Sequence, residues 1–247
     1  MGSLTPIPGT EPFRLRGGAD GILMVHGFSG SPASMRPMGE WFAARGLTVS
    51  GVRLPGHGTS VEDFAAHPWP EWAAGVDEEL THLRSTCARI LVLGQSMGGA
   101  LAVHLAAERP SEVDGLALLS PYVFDRRLTV VPLARFFVKE TKGVGSDVRK
   151  EGVDELAYDR LPTPAVVTMA AFLKVARADL TRVTAPTLVF EPGEDHAIPK
   201  DNPRRVFAGL GSARKELIGC PNSYHVLSLD HDAPMIRERV LAFLRTL

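Results

Sequence analysis

Short, β-rich apolar runs alternate with longer stretches of helical periodicity along most of this chain, and few architectures accept that rhythm. Apolar runs at 21–26 (GILMVH), 47–53, 89–93 and 113–119 stand between helix-patterned segments at 34–45, 69–83 and 99–108. Met35, Met38, Trp41 and Phe42 recur at helical spacing, as do Trp72, Val76, Leu80 and Leu83. The run at 89–93 is apolar without alternation, as a parallel strand covered on both faces requires. The pattern predicts an α/β fold, a mostly parallel sheet flanked by helices. The rhythm breaks from Pro121 to about Leu180, where apolar patches (Val130, Val131, Leu133, Phe136, Phe137, Val138) and one helical stretch at 165–177 replace it. It resumes with a strand at 187–190, a helix near 202–210, a strand at 215–218 and a last helix at 233–244. We expect one domain over residues 1–247, with about 121–180 inserted between two core strands as a small cap.

Composition removes other classes. With 27 basic and 28 acidic residues the formal charge is −1, so a phosphate-tracking nucleic-acid partner is not expected. A hydrophobic content of 45% excludes intrinsic disorder. Two cysteines, Cys87 and Cys220, cannot build a disulfide framework and read as free buried thiols in a reducing compartment. No basic-then-apolar leader opens the sequence, and no apolar run approaches the ~18 residues of a membrane span. The expectation is a soluble, cytoplasmic protein.

Gly94-Gln95-Ser96-Met97-Gly98 is a G-x-S-x-G that directly follows an apolar run and precedes a helix. This is the setting of a nucleophile elbow, a sharp turn that projects a serine above the sheet and tolerates only tiny neighbours. Ser96 would then sit at a helix N-terminus, where the dipole favours developing negative charge. A serine hydroxyl needs a base. His225 follows the strand near 215–218, and Asp195 follows the strand at 187–190. All three thus stand at C-terminal strand ends, where open α/β sheets place their sites. Glu194 competes with Asp195, and His196 and His231 compete with His225; His231, between Asp230 and Asp232, reads as a surface or capping residue. The backbone N–H of Met97, after the nucleophile, and that of Phe28, in the Gly27-containing loop after the first strand, are the candidate oxyanion donors. His26 and His57 read as loop-ordering residues. Zinc-ligand spacings, phosphate loops and dinucleotide fingerprints are missing from the sequence, so neither metal nor organic cofactor is expected.

The motifs together resemble the α/β-hydrolase superfamily, and within it the bacterial monoacylglycerol lipases and related small carboxylesterases. The stretches that carry the resemblance are HGFSGSPASMRP (26–37), RLPGHGTSVEDF (53–64), GQSMGG (94–99), GSDV (145–148), DELAYDRLPTPA (154–165), PGEDHAIP (192–199) and NSYHVLSLDHDAPMI (222–236). They span nearly the whole chain, in family order. The resemblance implies hydrolysis of monoacylglycerols or simple carboxylic esters without a cofactor. It puts the nucleophile on Ser96, the acid on Asp195, the base on His225 and the oxyanion donors on Phe28 and Met97. It also implies a cap over an apolar acyl site, with Glu155 as a polar contact for the glycerol head group; a solvated carboxylate on a helix face is the other reading of Glu155. Gln95 stands where relatives commonly carry leucine, and a polar residue there would alter the pocket wall.

Three functional classes follow from these residues. An ester hydrolase uses Ser96, an acyl-enzyme and a water activated through His225. A thioesterase, or another reaction on the same triad, shares the fold, because fold does not fix function. A non-enzymatic scaffold on this fold often loses a triad member, whereas all three positions are filled here. The expected partner is a small ester or monoacylglycerol, with transient contact between the apolar cap and a lipid interface.

Overall fold

In the computed structural model, residues 5–131 and 137–247 are described, with only the backbone of Val130. The strands are β1 (Phe13–Leu15), β2 (Asp20–Val25), β3 (Thr48–Val52), β4 (Arg89–Gln95), β5 (Gly115–Leu119), β6 (Glu140–Lys142), β7 (Arg160–Pro162), β8 (Thr187–Pro192) and β9 (Lys215–Cys220). The helices are α1 (Arg36–Ala43), α2 (Val61–Ala66), α3 (Trp69–Arg84), α4 (Met97–Glu108), α5 (Thr163–Asp179), α6 (Asn202–Gly209) and α7 (Ala233–Leu244). Seven strands form one sheet in the order β1-β3-β2-β4-β5-β8-β9, parallel throughout except for β1, which lies antiparallel on β3.

Helices cover both faces. Ile90 and Val92 of β4 pack with Trp72 and Leu80 of α3, Leu101 of α4 and Phe172 of α5. Leu91 and Leu93, turned to the opposite face, pack with Met38 and Phe42 of α1 and Ile236 and Val240 of α7. This two-sided burial is why β4 carries no polar alternation.

The path from β2 leads outward to β3, then returns across β2 to β4 and continues outward through β5, β8 and β9. The switch point lies between β2 and β4, where the loops leave their carboxyl ends in opposite directions and open a crevice.

Three features escaped the periodicity reading. The edge strand β1 and the β6–β7 pair have three residues each, too few for a period-2 signal. Helix α2 lies in a stretch to which the sequence pattern assigns no element; its start is set by Ser60, whose hydroxyl accepts from the Asp63 N–H at 3.1 Å.

Between β5 and β8 the described residues add no strand to the main sheet; they carry the β6–β7 pair and α5. Leu133 and Phe136 of the apolar patch lie outside the described residues, as does the Val130 side chain. Phe137 is 84% exposed and Phe172 is fully buried against Trp69, so neither lines a cavity wall. Cys87 and Cys220 are both free and buried. Among the described residues, no helix is long and apolar enough to cross a membrane.

Candidate active site

Strand β4 ends at Gln95, and α4 begins at Met97, two residues before the sequence pattern suggests. Only Ser96 separates them, with φ 56° and ψ −120°. Such a backbone is costly for a residue with a side chain and persists where the surroundings over-determine it. Here both of its peptide groups are held: the Ser96 N–H donates to the Leu119 carbonyl at 2.9 Å, and the Ser96 carbonyl accepts from the Tyr122 N–H at 3.0 Å. The flanking glycines are sterically required. A Cβ on Gly94 would lie 2.2 Å from the Gly98 oxygen, and one on Gly98 would lie 2.2 Å from the Val25 oxygen.

Asp195 and His225 meet across the ends of β8 and β9. His225 Nδ1–H donates to Asp195 Oδ2 at 2.8 Å. Asp195 Oδ1 accepts the Ala197 and Ile198 amides at 3.0 and 2.9 Å, so the carboxylate is locked from both sides. The neighbouring rivals face outward. Glu194 is exposed and stands 3.8 Å from His196 Nε2, and His231 is exposed. His196 turns its Nδ1 to Asp147 at 2.8 Å.

Ser96 and His225 open onto one cavity of about 500 Å3. Its wall is largely apolar: Phe28, Leu128, Val131, Val144, Leu161, Val166, Met169 and Ile198. The Ser96 hydroxyl has no protein hydrogen bond among the described residues; serine–histidine contacts of this kind often tighten only when substrate binds. Burial by itself lowers the pKa of the His225 imidazole. The Asp195 hydrogen bond and the charges of Asp195, Glu155 and Asp147 outweigh that, and the pKa lies above its ordinary 6.5.

The loop after β2 brings Phe28 to the cavity, and a Cβ on Gly27 would touch the Ser96 Cβ at 3.4 Å. Among the described residues, the N–H groups of Phe28 and Met97 have no protein acceptor. The loop's orientation comes from two buried histidines. His26 Nδ1–H donates to the Gly27 carbonyl at 2.9 Å, while its Nε2 accepts from the Leu54 N–H at 3.3 Å. Since a trans peptide points its N–H opposite its C=O, this bond directs the Phe28 N–H away from His26. His57 lies between the carbonyls of Phe28 and Pro55, at 2.7 and 3.0 Å. Burial brings the pKa of His26 down to about 3 and that of His57 down to about 4, so both are neutral, and His57 donates to only one of its two carbonyls.

Glu155 is buried and lies in a coil, not on a solvated helix face. It lines the cavity beside Gly30, where a Cβ would stand 2.7 Å from Glu155 Oε1. Burial is the main reason its pKa rises to about 7; the His225 charge opposes the rise, and Asp154 and Asp147 add to it.

Gln95 does not line the cavity, contrary to the expectation for a polar residue beside the elbow. Strand alternation turns it to the other face of β4, where its Oε1 accepts from the Ser228 N–H at 3.1 Å. His231 is exposed as expected, while the aspartates on either side of it are buried. Asp232 is buried and accepts from the Asn222 N–H at 2.8 Å and the Ser223 hydroxyl at 2.9 Å, bracing the loop that carries His225.

Proteins similar to this chain include lipases and esterases. A thermostable monoacylglycerol lipase of Bacillus sp. (strain H-257) is 38% identical over 242 residues, covering 96% of this chain and 95% of the relative. A carboxylesterase of Bacillus subtilis (strain 168) is 25% identical, covering 96% and 97%. Among solved structures, one from work on the metagenome-derived lipolytic enzymes LipS and LipT superposes with a TM-score of 0.94 at 38% identity, covering 98% of this chain and all of that one. The family described as serine aminopeptidase, S33, matches residues 19–232. A match of that extent, on a mostly parallel sheet with a strained serine at its switch point, means that this chain belongs to the serine aminopeptidase S33 family of the α/β-hydrolase superfamily.

Proposed function

We propose that this chain hydrolyses carboxylic esters, monoacylglycerols foremost, with Ser96 as nucleophile, His225 as base and Asp195 as the carboxylate that orients it. The observation that carries this reading is the 2.8 Å His225–Asp195 bond beside an apolar cavity that holds Ser96 and His225 with two buried carboxylates, Glu155 and Asp147. The similarity to a monoacylglycerol lipase over nearly the full chain supports the same substrate class.

In this reading His225 Nε2 takes the Ser96 proton as Oγ attacks the ester carbonyl. The amides of Phe28 and Met97 hold the oxyanion, and the α4 N-terminus favours the charge. His225 then passes the proton to the departing glycerol oxygen, leaving an acyl-enzyme. Water, deprotonated by His225, releases the fatty acid and restores Ser96. Residues 121–180 act as a cap whose Leu128, Val131, Leu161, Val166 and Met169 take up the acyl chain. Phe137, Val138 and Val144, exposed on the same segment, supply contact with a lipid interface.

A substrate panel tests the reading: monoacylglycerols, diacylglycerols and triacylglycerols, p-nitrophenyl esters, an acyl thioester and an aminoacyl anilide. Preference for monoacylglycerols is expected; the thioester or the anilide as best substrate would overturn it. Glu155→Ala is expected to cost monoacylglycerol turnover about tenfold in kcat/KM, the worth of one hydrogen bond to the head group. It should leave a plain alkyl ester within about twofold. Equal losses on both would assign Glu155 to the fold alone.

The pH profile gives a second check. Only neutral His225 accepts the serine proton, and its pKa is raised. Activity should therefore be full above that pKa and fall as pH drops through it, with the acid limb above the ordinary imidazole value of 6.5. A profile flat down to about pH 4 would remove His225 from the role.

A further inference from the structure

We propose that Asp147 is a positioning residue for His225: a buried carboxylate from the segment between β5 and β8 that ties the acid loop to the base loop and faces the imidazole with its charge. The inference rests on the reading of His225 as the base.

Asp147 lies in the coil between β6 and β7, and its side chain is buried at the cavity wall. Its Oδ1 accepts from His196 Nδ1–H at 2.8 Å. Its Oδ2 accepts from two backbone amides, His196 at 3.0 Å and His225 at 3.4 Å. Its own carbonyl accepts from the Val226 N–H at 3.1 Å. One residue, outside the main sheet, therefore holds the neighbour of Asp195 on one side and the backbone of His225 on the other. The two loops it joins leave different strands and also meet directly, through the His225–Asp195 bond, the Gly193 and Glu194 amides on the Ser223 carbonyl, and the His196 ring on Tyr224.

A second carboxylate closes the arrangement. Asp230, also buried, accepts from the amides of Arg149 and Lys150 at 2.7 and 3.0 Å, and from those of Tyr224 and His231 at 2.8 Å each. Residues 147–150 are thus anchored to the His225 loop at both ends. A carboxylate withdrawn from water persists where hydrogen bonds replace its hydration. Both are satisfied here by backbone N–H groups of the loops whose positions matter for the reaction.

The charge has a separate effect. The titratable groups facing His225 are Asp195 from the loop after β8 and Asp147 and Glu155 from the coil between β6 and β7; Ser96, from the elbow, is neutral. Arg127, on the cavity rim, is paired with Asp125 at 2.6 Å. The negative charge of Asp147 thus favours the imidazolium that forms when His225 takes the Ser96 proton.

The test is kcat and KM for a p-nitrophenyl ester across pH, with the melting temperature, for wild type, Asp147→Asn and Asp147→Ala. Asparagine keeps the shape: its oxygen can accept from the two amides while its NH2 faces a deprotonated His196 Nδ1. Asp147→Asn is expected to retain kcat within about tenfold and to move the acid limb to lower pH, since the imidazolium loses a favourable charge. Asp147→Ala is expected to lower kcat by about 10–100-fold with KM little changed, the loss typical of a catalytic group displaced by about 1 Å. A purely structural role predicts lower melting temperatures with kcat and the acid limb at wild-type values. An unmoved limb in Asp147→Asn overturns the proposal even where Asp147→Ala fails to fold. So does a folded Asp147→Ala with kcat within about threefold of wild type. The parent reading is tested apart from this by His225→Ala. If that variant is inactive and the Asp147→Asn limb stays put, the positioning role alone fails. If His225→Ala keeps its activity, the base assignment itself fails.

Discussion

Ser96→Ala is expected to lower kcat for a p-nitrophenyl ester by about ten-thousand-fold or more, while the protein melts at the wild-type temperature. The activity loss follows from chemistry: without Oγ no acyl-enzyme forms, and what remains is the binding and oxyanion stabilisation that act on water alone. The unchanged stability follows from the contacts. The hydroxyl makes no hydrogen bond to the protein among the described residues, and the strained backbone at φ 56° is held by Leu119 and Tyr122 through main-chain groups that alanine keeps. Alanine is also no worse than serine at that φ. Residual activity above about 1% of wild type, in a preparation free of wild-type enzyme, would place the nucleophile elsewhere.

The second large effect is at Asp195. Asp195→Asn is expected to cost about ten-thousand-fold in kcat, about 5 kcal/mol of transition-state stabilisation. The geometry gives the reason. Oδ1 is committed to the amides of Ala197 and Ile198, which need an acceptor. Asparagine must therefore keep its oxygen there and turn its NH2 toward His225 Nδ1. That forces the imidazole proton onto Nε2, the nitrogen that has to receive the Ser96 proton. The fold should survive, because the two loop amides stay satisfied. A loss of less than about tenfold would mean that another carboxylate orients His225, and the cavity offers two, Asp147 and Glu155.

Much of this site is legible in the residues before any coordinates. The apolar runs at 89–93 and 187–190 and the Gly94–Gly98 pattern put Ser96 and Asp195 at strand ends, and the fold keeps them there. The elbow is readable because part of its constraint is local: a Cβ at Gly94 collides with the Gly98 backbone four residues on, whereas one at Gly98 collides with the Val25 carbonyl of β2, a tertiary contact. Gln95 shows where such reading stops. Its neighbour is the nucleophile, yet strand pleating sends its side chain to the far face, to Ser228, more than a hundred residues along the chain. Glu155 shows the same limit, since a coil has no period from which burial can be read.

Asp147 was visible as part of a short motif and nothing more. Its role depends on three loops that converge only when the sheet has formed. The same holds for the choice between Asp195 and Glu194, adjacent in sequence and opposite in direction.

By itself, then, the sequence determined the α/β alternation, the parallel sheet, the nucleophile turn and the order in which serine, acid and histidine occur. These rest on hydrophobic periodicity and glycine sterics, forces that act between near neighbours. The tertiary structure alone decided the geometry that turns Asp195 and not Glu194 to His225, the burial of Glu155, and the bracing of both catalytic loops by the segment between β5 and β8 through Asp147. Those are set by hydrogen bonds between distant segments, whose partners are chosen only when packing brings their backbones together.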